Sequence, residues 1–491
     1  MYKKYFLTFI LLISLQQVHA QLLSQKIDSL GQITLERTKT IGGYLSIIKN
    51  DSIIYSSGFG YNDLQTKSQL TDSTIFPISS NTKAFNSILL SQFVEEGKLD
   101  FNKPLKAYLP DLEFKNDFIT SEVNLTDLLT HRFGFPRYDF THYMLSEEEK
   151  KDPNKSVFKK LKYLEPTSSF RTQFQYGNNQ YILAAYLLER LSGKKWEELL
   201  EEKILSPLMM RDTHWDLEKY KSANNRSLGY QNGNLIDIDY AAPIYSVSGM
   251  GNLFSTIHDL EKWCRFLING NDSILSKELI DYNLKGHFAI GFEEPYPGFS
   301  ALEYGLGWFV FDYYGHKVVM HHGDNMGHQS LIVLLPDDNL SWILLANEGF
   351  SAQSFPFRMT FSLLDLFVGK DLNDWNQLLA RNPKIFLRHP DSLKVQNNNP
   401  TLKIRDYKGL YRHEGFGTIE ISMIKNKLKV QAGNYTEEIT YYGNDSFRAF
   451  SKEFKEDYIF KFNLNEENEI ISLETDLIEP SVGLIEFKKV L

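Results

Sequence analysis

Ser80-Asn81-Thr82-Lys83 sets a hydroxyl and an amine three residues apart, and in a helix that spacing puts both side chains on one face, with Cβ atoms about 5–6 Å apart. A lysine so placed reaches the serine oxygen, and its neutral amine is the base a serine nucleophile needs. Ser79 or Ser80 could instead be a plain helix cap. A cap, however, favours Glu or Gln three residues on, and a cation in the first turn opposes the helix dipole; the same dipole favours neutral lysine.

Two further groups carry chemistry. Tyr176-Gly177-Asn178, in FQYGNNQY, projects a phenol and an amide from a glycine-containing loop ahead of a helix, although Asn178 or Asn179 could cap that helix and Tyr176 could be a core aromatic. His321-His322-Gly323 ends a β-rich run, where Gly323 lets a ligand approach the strand. The histidines at 321, 322 and 328 are not read as metal ligands, because neighbouring strand residues point to opposite faces and no His-Glu-x-x-His spacing accompanies them. No metal or cofactor is expected.

The elements that must position these residues can be read from the periodicity. Leu22 to Thr38 has helical spacing, and GGYLSIIKNDSIIYSSGFGYND folds as two strands about Asn50-Asp51. Beyond Ser80, apolar residues from Ala84 to Val94 recur at helical spacing up to Gly97. Residues from about 105 to 290 are mainly helical, with helices over Tyr181 to Leu191 and Leu260 to Leu267. The runs KVVMHH, HQSLIVLLP and LSWILLAN then predict an antiparallel meander broken by Gly-Asp-Asn and Pro-Asp-Asp-Asn turns. Both halves of one sheet thus come from the ends of residues 21–390, read as one α+β domain with a helical insert walling a cleft. Residues 391–403 read as a polar linker. Residues 404–491 predict a small antiparallel sheet or barrel, from alternating runs such as TIEISMI, KLKVQA and YIFKFNL.

The chain has 491 residues and a formal charge of −9, and loss of a leader bearing Lys3 and Lys4 would take that to −11. No basic face is available for nucleic acid. Residues 1–20 join a basic start to an apolar run from Phe6 to Leu15 and a Val18-His19-Ala20 cleavage site, which predicts export to the periplasm or beyond. That run is far short of the roughly 20 residues a membrane-spanning helix needs, so no integral membrane segment is expected after cleavage. Cys264 is the only cysteine, so no intramolecular disulfide forms.

Taken together and in this order, Ser-x-x-Lys, Tyr-x-Asn and His-x-Gly resemble the serine β-lactamase and penicillin-binding superfamily, in particular its class C β-lactamase-like branch. FPISSNTKAF, LLTHRFGFP (128–136), YSVSGMGNLFSTIHDL (245–260) and YGLGWFV (304–310) resemble the same family, over about residues 25–370; the segment after Tyr407 resembles the lipocalin-like domain appended to some members. The resemblance implies a transpeptidase-like fold, in which an antiparallel sheet is flanked by helices and joined by a helical subdomain. It implies Ser80 as nucleophile, Lys83 as acceptor of its proton, and Tyr176 as a second proton carrier. Asn178 would hold the substrate's acyl-side amide, and His321 would hydrogen-bond Tyr176 and assist leaving-group protonation. The backbone N–H groups of Ser80 and Asp324, beside Gly323, would form the oxyanion hole.

The sequence departs from the family at Arg132-Phe133, at Asp324-Asn325-Met326, and at His321, where true class C β-lactamases carry lysine. Histidine is charged only near or below about pH 6.5, so it offers no permanent cation for a substrate carboxylate. The expected reaction is therefore acyl transfer from a peptide amide, including one at a D-residue, or from an ester, ahead of β-lactam or D-Ala-D-Ala cleavage. The rival of another kind is a non-catalytic cell-wall or β-lactam sensor. The partner is a small-molecule or peptide substrate, and the oligomeric state is left open.

Overall fold

A computed structural model describes residues 2–291, 298–325, 327–349, 354–381, 399–433, 435–451 and 456–490. Residues 391–398 of the expected linker and Met326 lie outside the described residues. Helix α1 (Tyr2–Thr38) leads into the hairpin of β1 (Gly42–Lys49) and β2 (Ser52–Gly60). Its turn is Asn50-Asp51, both left-handed (φ 48° and 66°), as a two-residue hairpin loop requires.

The chain then leaves the sheet through α2 (Thr82–Glu95) and a long helical insert that includes α3 (Asn179–Ser192) and α4 (Ile257–Asn269). It returns as β3 (Phe288–Ala289), β4 (Glu303–Tyr304), β5 (Phe309–Tyr313), β6 (His316–Asn325), β7 (His328–Leu335) and β8 (Leu340–Ala346), followed by α5 (Phe355–Val368). The sheet order is β2-β1-β8-β7-β6-β5-β4-β3, with β1 antiparallel to β8 from Gly43↔Ala346 to Lys49↔Leu340. Its two halves come from opposite ends of the domain, as the sequence pattern predicts.

Successive residues of β8 feed opposite cores. Ile343 and Leu345 pack with α2 and the insert, while Trp342, Leu344 and Ala346 pack towards α1 and α5. Burial on both faces explains why this strand is a continuous apolar run and not an alternating one. One expected turn is corrected. Gly323-Asp324-Asn325 belongs to β6, because Asn325 pairs with His328, and the left-handed residue of the connection is Gly327 at φ +74°.

The C-terminal unit is a closed eight-stranded antiparallel barrel: β9 (Gly409–His413), β10 (Gly417–Ile424), β11 (Lys427–Ala432), β12 (Tyr435–Gly443), β13 (Ser446–Ser451), β14 (Glu456–Leu464), β15 (Ile470–Thr475) and β16 (Ile485–Lys489). Pairing of Tyr411 with Lys489 closes it. Tyr411, Val430, Phe447, Phe460 and Phe487 are fully buried, consistent with eight strands enclosing only enough room for side chains. The barrel docks on the insert. Tyr138 stacks on Phe416, Phe140 meets Tyr435 and Tyr458 edge-on, and Lys160 Nζ donates to the Gly415 carbonyl at 2.9 Å.

Candidate active site

Ser80 sits in a single 3-10 turn, Ser79–Asn81, that runs into α2. Ser79 is left-handed (φ +48°), a conformation that costs a non-glycine residue about 1–3 kcal/mol and persists only where its surroundings enforce it. The enforcement comes from the sheet. Asn81 Nδ2 donates to Ser330 Oγ, and Ser330 Oγ donates to the Ile78 carbonyl, both at 2.7 Å, tying the turn to β7. A Cβ on Gly323 would lie 2.1 Å from that same Ile78 oxygen. The space that glycine opens is thus filled by the turn that carries Ser80, and the expected ligand approach at Gly323 is corrected accordingly.

Lys83 is completely buried one turn further on, with Nζ 3.2 Å from Ser80 Oγ. Nζ also donates at 2.8 Å to Asn178 Oδ1 and at 2.8 Å to the Met250 carbonyl. Burial pushes the ammonium well below lysine's ordinary value; the Arg137 charge pushes the same way, and Asp139 opposes both. A neutral amine has two N–H bonds and one lone pair. With both N–H groups committed to carbonyl oxygens, the lone pair is left for the Ser80 hydroxyl.

Tyr176 is shifted the other way. Desolvation pushes its phenol up to about 12, against the pull of Ser80 and Arg137, so it is a neutral proton donor at ordinary pH. Its ring lies between Lys83, 4.9 Å from the ring centre, and His131, whose ring centre is 4.6 Å away. Burial thus acts on the two groups in opposite directions, and in both it favours the uncharged form: a free amine at Lys83 and a phenol at Tyr176. Outside the pair stands Arg137, its side chain 56% exposed and its guanidinium 5.7 Å from the Tyr176 ring centre.

His321 is buried and faces the site, but its partner differs from the one expected. Nε2 lies 3.0 Å from the Tyr304 hydroxyl and Nδ1 lies 2.7 Å from the His322 carbonyl, while the Tyr176 ring centre is 6.2 Å away. The carbonyl fixes the proton on Nδ1, so Nε2 accepts from Tyr304. Burial, then the neighbouring His322 and Lys83, hold this imidazole well below its ordinary value and hence neutral. His322 points to the other face, against Phe357, as alternation along a strand requires.

Asn178 also does something the sequence did not reveal. Its oxygen holds Lys83, and its Nδ2 donates to Asp139 Oδ1 at 2.9 Å, so both ends of the amide organise the site. Asp324 follows Gly323 on β6 and borders a small crevice with His322, Gly323, Pro356 and Phe357. The ladder between β5 and β6 ends at Met320. The backbone of β6 beyond that point therefore presents an edge that β5 does not cover. Asp139, Arg137, His131, Tyr304 and the Met250 carbonyl complete the site. Their only sequence signal was position, since His131, Tyr304 and Met250 fall in family-like stretches. Arg132, one of the departures, is structural: with Arg171 it clasps the fully buried Asp127 at 2.7 Å.

Comparison with known proteins agrees with this geometry. A profile of the beta-lactamase family matches residues 23–365, the region that contributes the Ser80, Tyr176 and His321 motifs. The chain belongs to the beta-lactamase family. A second profile, a domain of unknown function (DUF3471), matches residues 393–489, the barrel. An unguisins hydrolase of Aspergillus campestris is 26% identical over 408 residues, covering 79% of this chain and 76% of that protein. Among solved structures, the octameric penicillin-binding protein homologue from Pyrococcus abyssi aligns with a TM-score of 0.64 at 21% identity, over 94% of this chain and 99% of that one. The D-amino acid amidase of Ochrobactrum anthropi aligns with a TM-score of 0.52 at 22% identity, over 67% of this chain and 93% of that one. At such identities these two show the beta-lactamase family fold.

Proposed function

We propose that this member of the beta-lactamase family is an exported serine hydrolase that forms an acyl-enzyme on Ser80 and cleaves a peptide amide, including one at a D-residue, or an ester. The observation that carries the proposal is the buried Lys83 Nζ, 3.2 Å from Ser80 Oγ and 2.8 Å from each of two carbonyl oxygens; as a neutral amine it gives its two N–H groups to those carbonyls and keeps its lone pair for the serine hydroxyl.

In this reading Lys83 takes the Ser80 proton as Oγ attacks the acyl carbon. The oxyanion is held by the N–H groups of Ser80 and Asp324, each such donor being worth about 10²–10³ in rate. Tyr176, a phenol with its pKa held near 12, gives its proton to the leaving group; as a phenolate it then takes a proton from the water that attacks the acyl carbon, and Lys83 returns its proton to Ser80 Oγ as the acyl chain leaves. His321, neutral and bound to Tyr304, supports the wall behind Tyr176 and carries no charge for substrate. The permanent positive charge that His321 lacks stands at Arg137, which is ion-paired with Asp139 at 2.7 Å.

The name of the D-amino acid amidase among the similar structures favours an amide substrate over a β-lactam, and that of the unguisins hydrolase favours a hydrolase in general. Export rests on the pattern of residues 1–20. Steady-state rates on D-amino-acid amides, p-nitrophenyl acetate and nitrocefin rank the substrate classes, with the amide or the ester expected to lead; nitrocefin turnover exceeding both would overturn the ranking.

A further inference from the structure

The barrel does more than dock. Between β15 and β16 its loop carries Glu479, whose side chain is buried in the interface with the insert. Glu479 Oε2 accepts the Tyr138 N–H at 3.1 Å, and Oε1 accepts both the N–H and the hydroxyl of Ser481 at 3.2 and 2.5 Å, so the carboxylate is oriented by its own loop. The segment it grips is the one that holds the catalytic amide. The Tyr138 carbonyl accepts Asn179 Nδ2 at 3.2 Å, Thr141 Oγ1 donates to Asn179 Oδ1 at 2.7 Å, and Asp139 accepts Asn178 Nδ2 at 2.9 Å. Asn178 Oδ1 in turn receives Lys83 Nζ. A continuous path of bonds therefore runs from the barrel to the amine beside Ser80.

Apolar contacts alone would dock the two units, and Tyr138 on Phe416 and Phe140 on Tyr435 already supply them. A buried carboxylate is costly to place there, and its cost is offset only by what it bonds. A Cβ on Gly433 would lie 2.1 Å from the Tyr143 carbonyl, so the barrel backbone presses directly on the far end of the same segment. We propose that the C-terminal barrel is part of the catalytic apparatus, with Glu479 as a positioning residue that holds residues 138–141 and, through Asp139 and Asn178, the lone-pair direction of Lys83. This rests on the reading of Lys83 as the base for Ser80.

The test uses the full chain with Glu479→Ala, Glu479→Gln, Asp139→Ala and the double alanine variant. Two readouts are followed: fluorophosphonate labelling of Ser80 with p-nitrophenyl acetate kinetics, and amide hydrogen exchange. Glu479→Ala should slow labelling about tenfold and lower kcat while KM stays within about twofold, as expected when positioning and not binding is lost. Glu479→Gln, which keeps an acceptor for Tyr138, should restore most of the rate. The double variant should be no slower than Asp139→Ala alone, because both act along one path. Exchange in Glu479→Ala should quicken about fivefold or more over 138–143 and the first turn of α3, and not in β7 or β8. Wild-type labelling in Glu479→Ala, or losses that multiply with those of Asp139→Ala, would overturn the proposal. Should the alanine variant fail to fold, Ser481→Ala decides, since it releases the carboxylate without emptying the interface: slower labelling supports the path and an unchanged rate overturns it. A wild-type protein that Ser80 probes do not label refutes the hydrolase reading instead, and unchanged exchange in Glu479→Ala then refutes the barrel's hold on the segment.

Discussion

Replacing Lys83 by methionine keeps the length of the buried side chain and removes the amine. The structure gives that amine one task its neighbours cannot take over, because Asn178 Oδ1 and the Met250 carbonyl are acceptors and Tyr176 is a phenol with its pKa raised to about 12. Loss of a general base typically costs 10²–10⁴ in rate, or about 2.7–5.4 kcal/mol of barrier at 1.36 kcal/mol per tenfold. Lys83→Arg should fail to the same degree, since a guanidinium stays protonated and has no lone pair. The assay is the pseudo-first-order rate of fluorophosphonate labelling between pH 5 and pH 10. A base with a depressed pKa is protonated below that pKa, so the wild-type rate should fall as pH drops through it and stay flat above. Because burial depresses Lys83 strongly, that limb should lie far below lysine's ordinary 10.5. Labelling of Lys83→Met within tenfold of wild type, or a wild-type rate still climbing at pH 10, would refute the reasoning.

Tyr176→Phe should slow cleavage of an amide about 10²-fold or more but spare p-nitrophenyl acetate, whose leaving group needs no proton; equal losses on both substrates would argue against a proton donor. His321→Gln should leave the kcat profile without change in shape between pH 5.5 and 7.5, since the native imidazole is already neutral there; disappearance of a limb near 6.5 would show that His321 titrates. Gly323→Ala forces a methyl to within 2.1 Å of the Ile78 oxygen, and overpacking of this kind costs about 1–3 kcal/mol, read as a lowered urea midpoint together with slower Ser80 labelling. Asp127→Ala leaves Arg132 and Arg171 without their shared, fully buried carboxylate and should cost about 3–5 kcal/mol; a loss below 1 kcal/mol would mean the clasp contributes little.

The sheet and the helices around Ser80 were legible because their signals are local: paired β runs, a two-residue Asn-Asp turn, a helix closed by Gly97. So was the beta-lactamase family, because three short motifs recur in fixed order. What the sequence hid is tertiary. Nothing in YGNN distinguishes an amide that binds substrate from one that receives Lys83 and donates to Asp139, 39 residues away. The partner of His321 was hidden for the same reason, since Tyr304 reaches it only once β4, β5 and β6 pair. Gly323 looked like a place for a ligand, whereas its close neighbour is Ile78, distant in sequence. The barrel's hold on the site depends on a carboxylate in the loop DLIEPSVGL, where nothing local distinguishes Glu479 from a surface acid.

The central claim is that Ser80 is the nucleophile, and the intact mass of the protein after reaction with a fluorophosphonate tests it most directly. The account requires a single adduct on wild type, located to the peptide containing Ser80, and none on Ser80→Ala. An adduct that persists on Ser80→Ala, or no adduct on a wild-type protein that turns over its substrate, would contradict it.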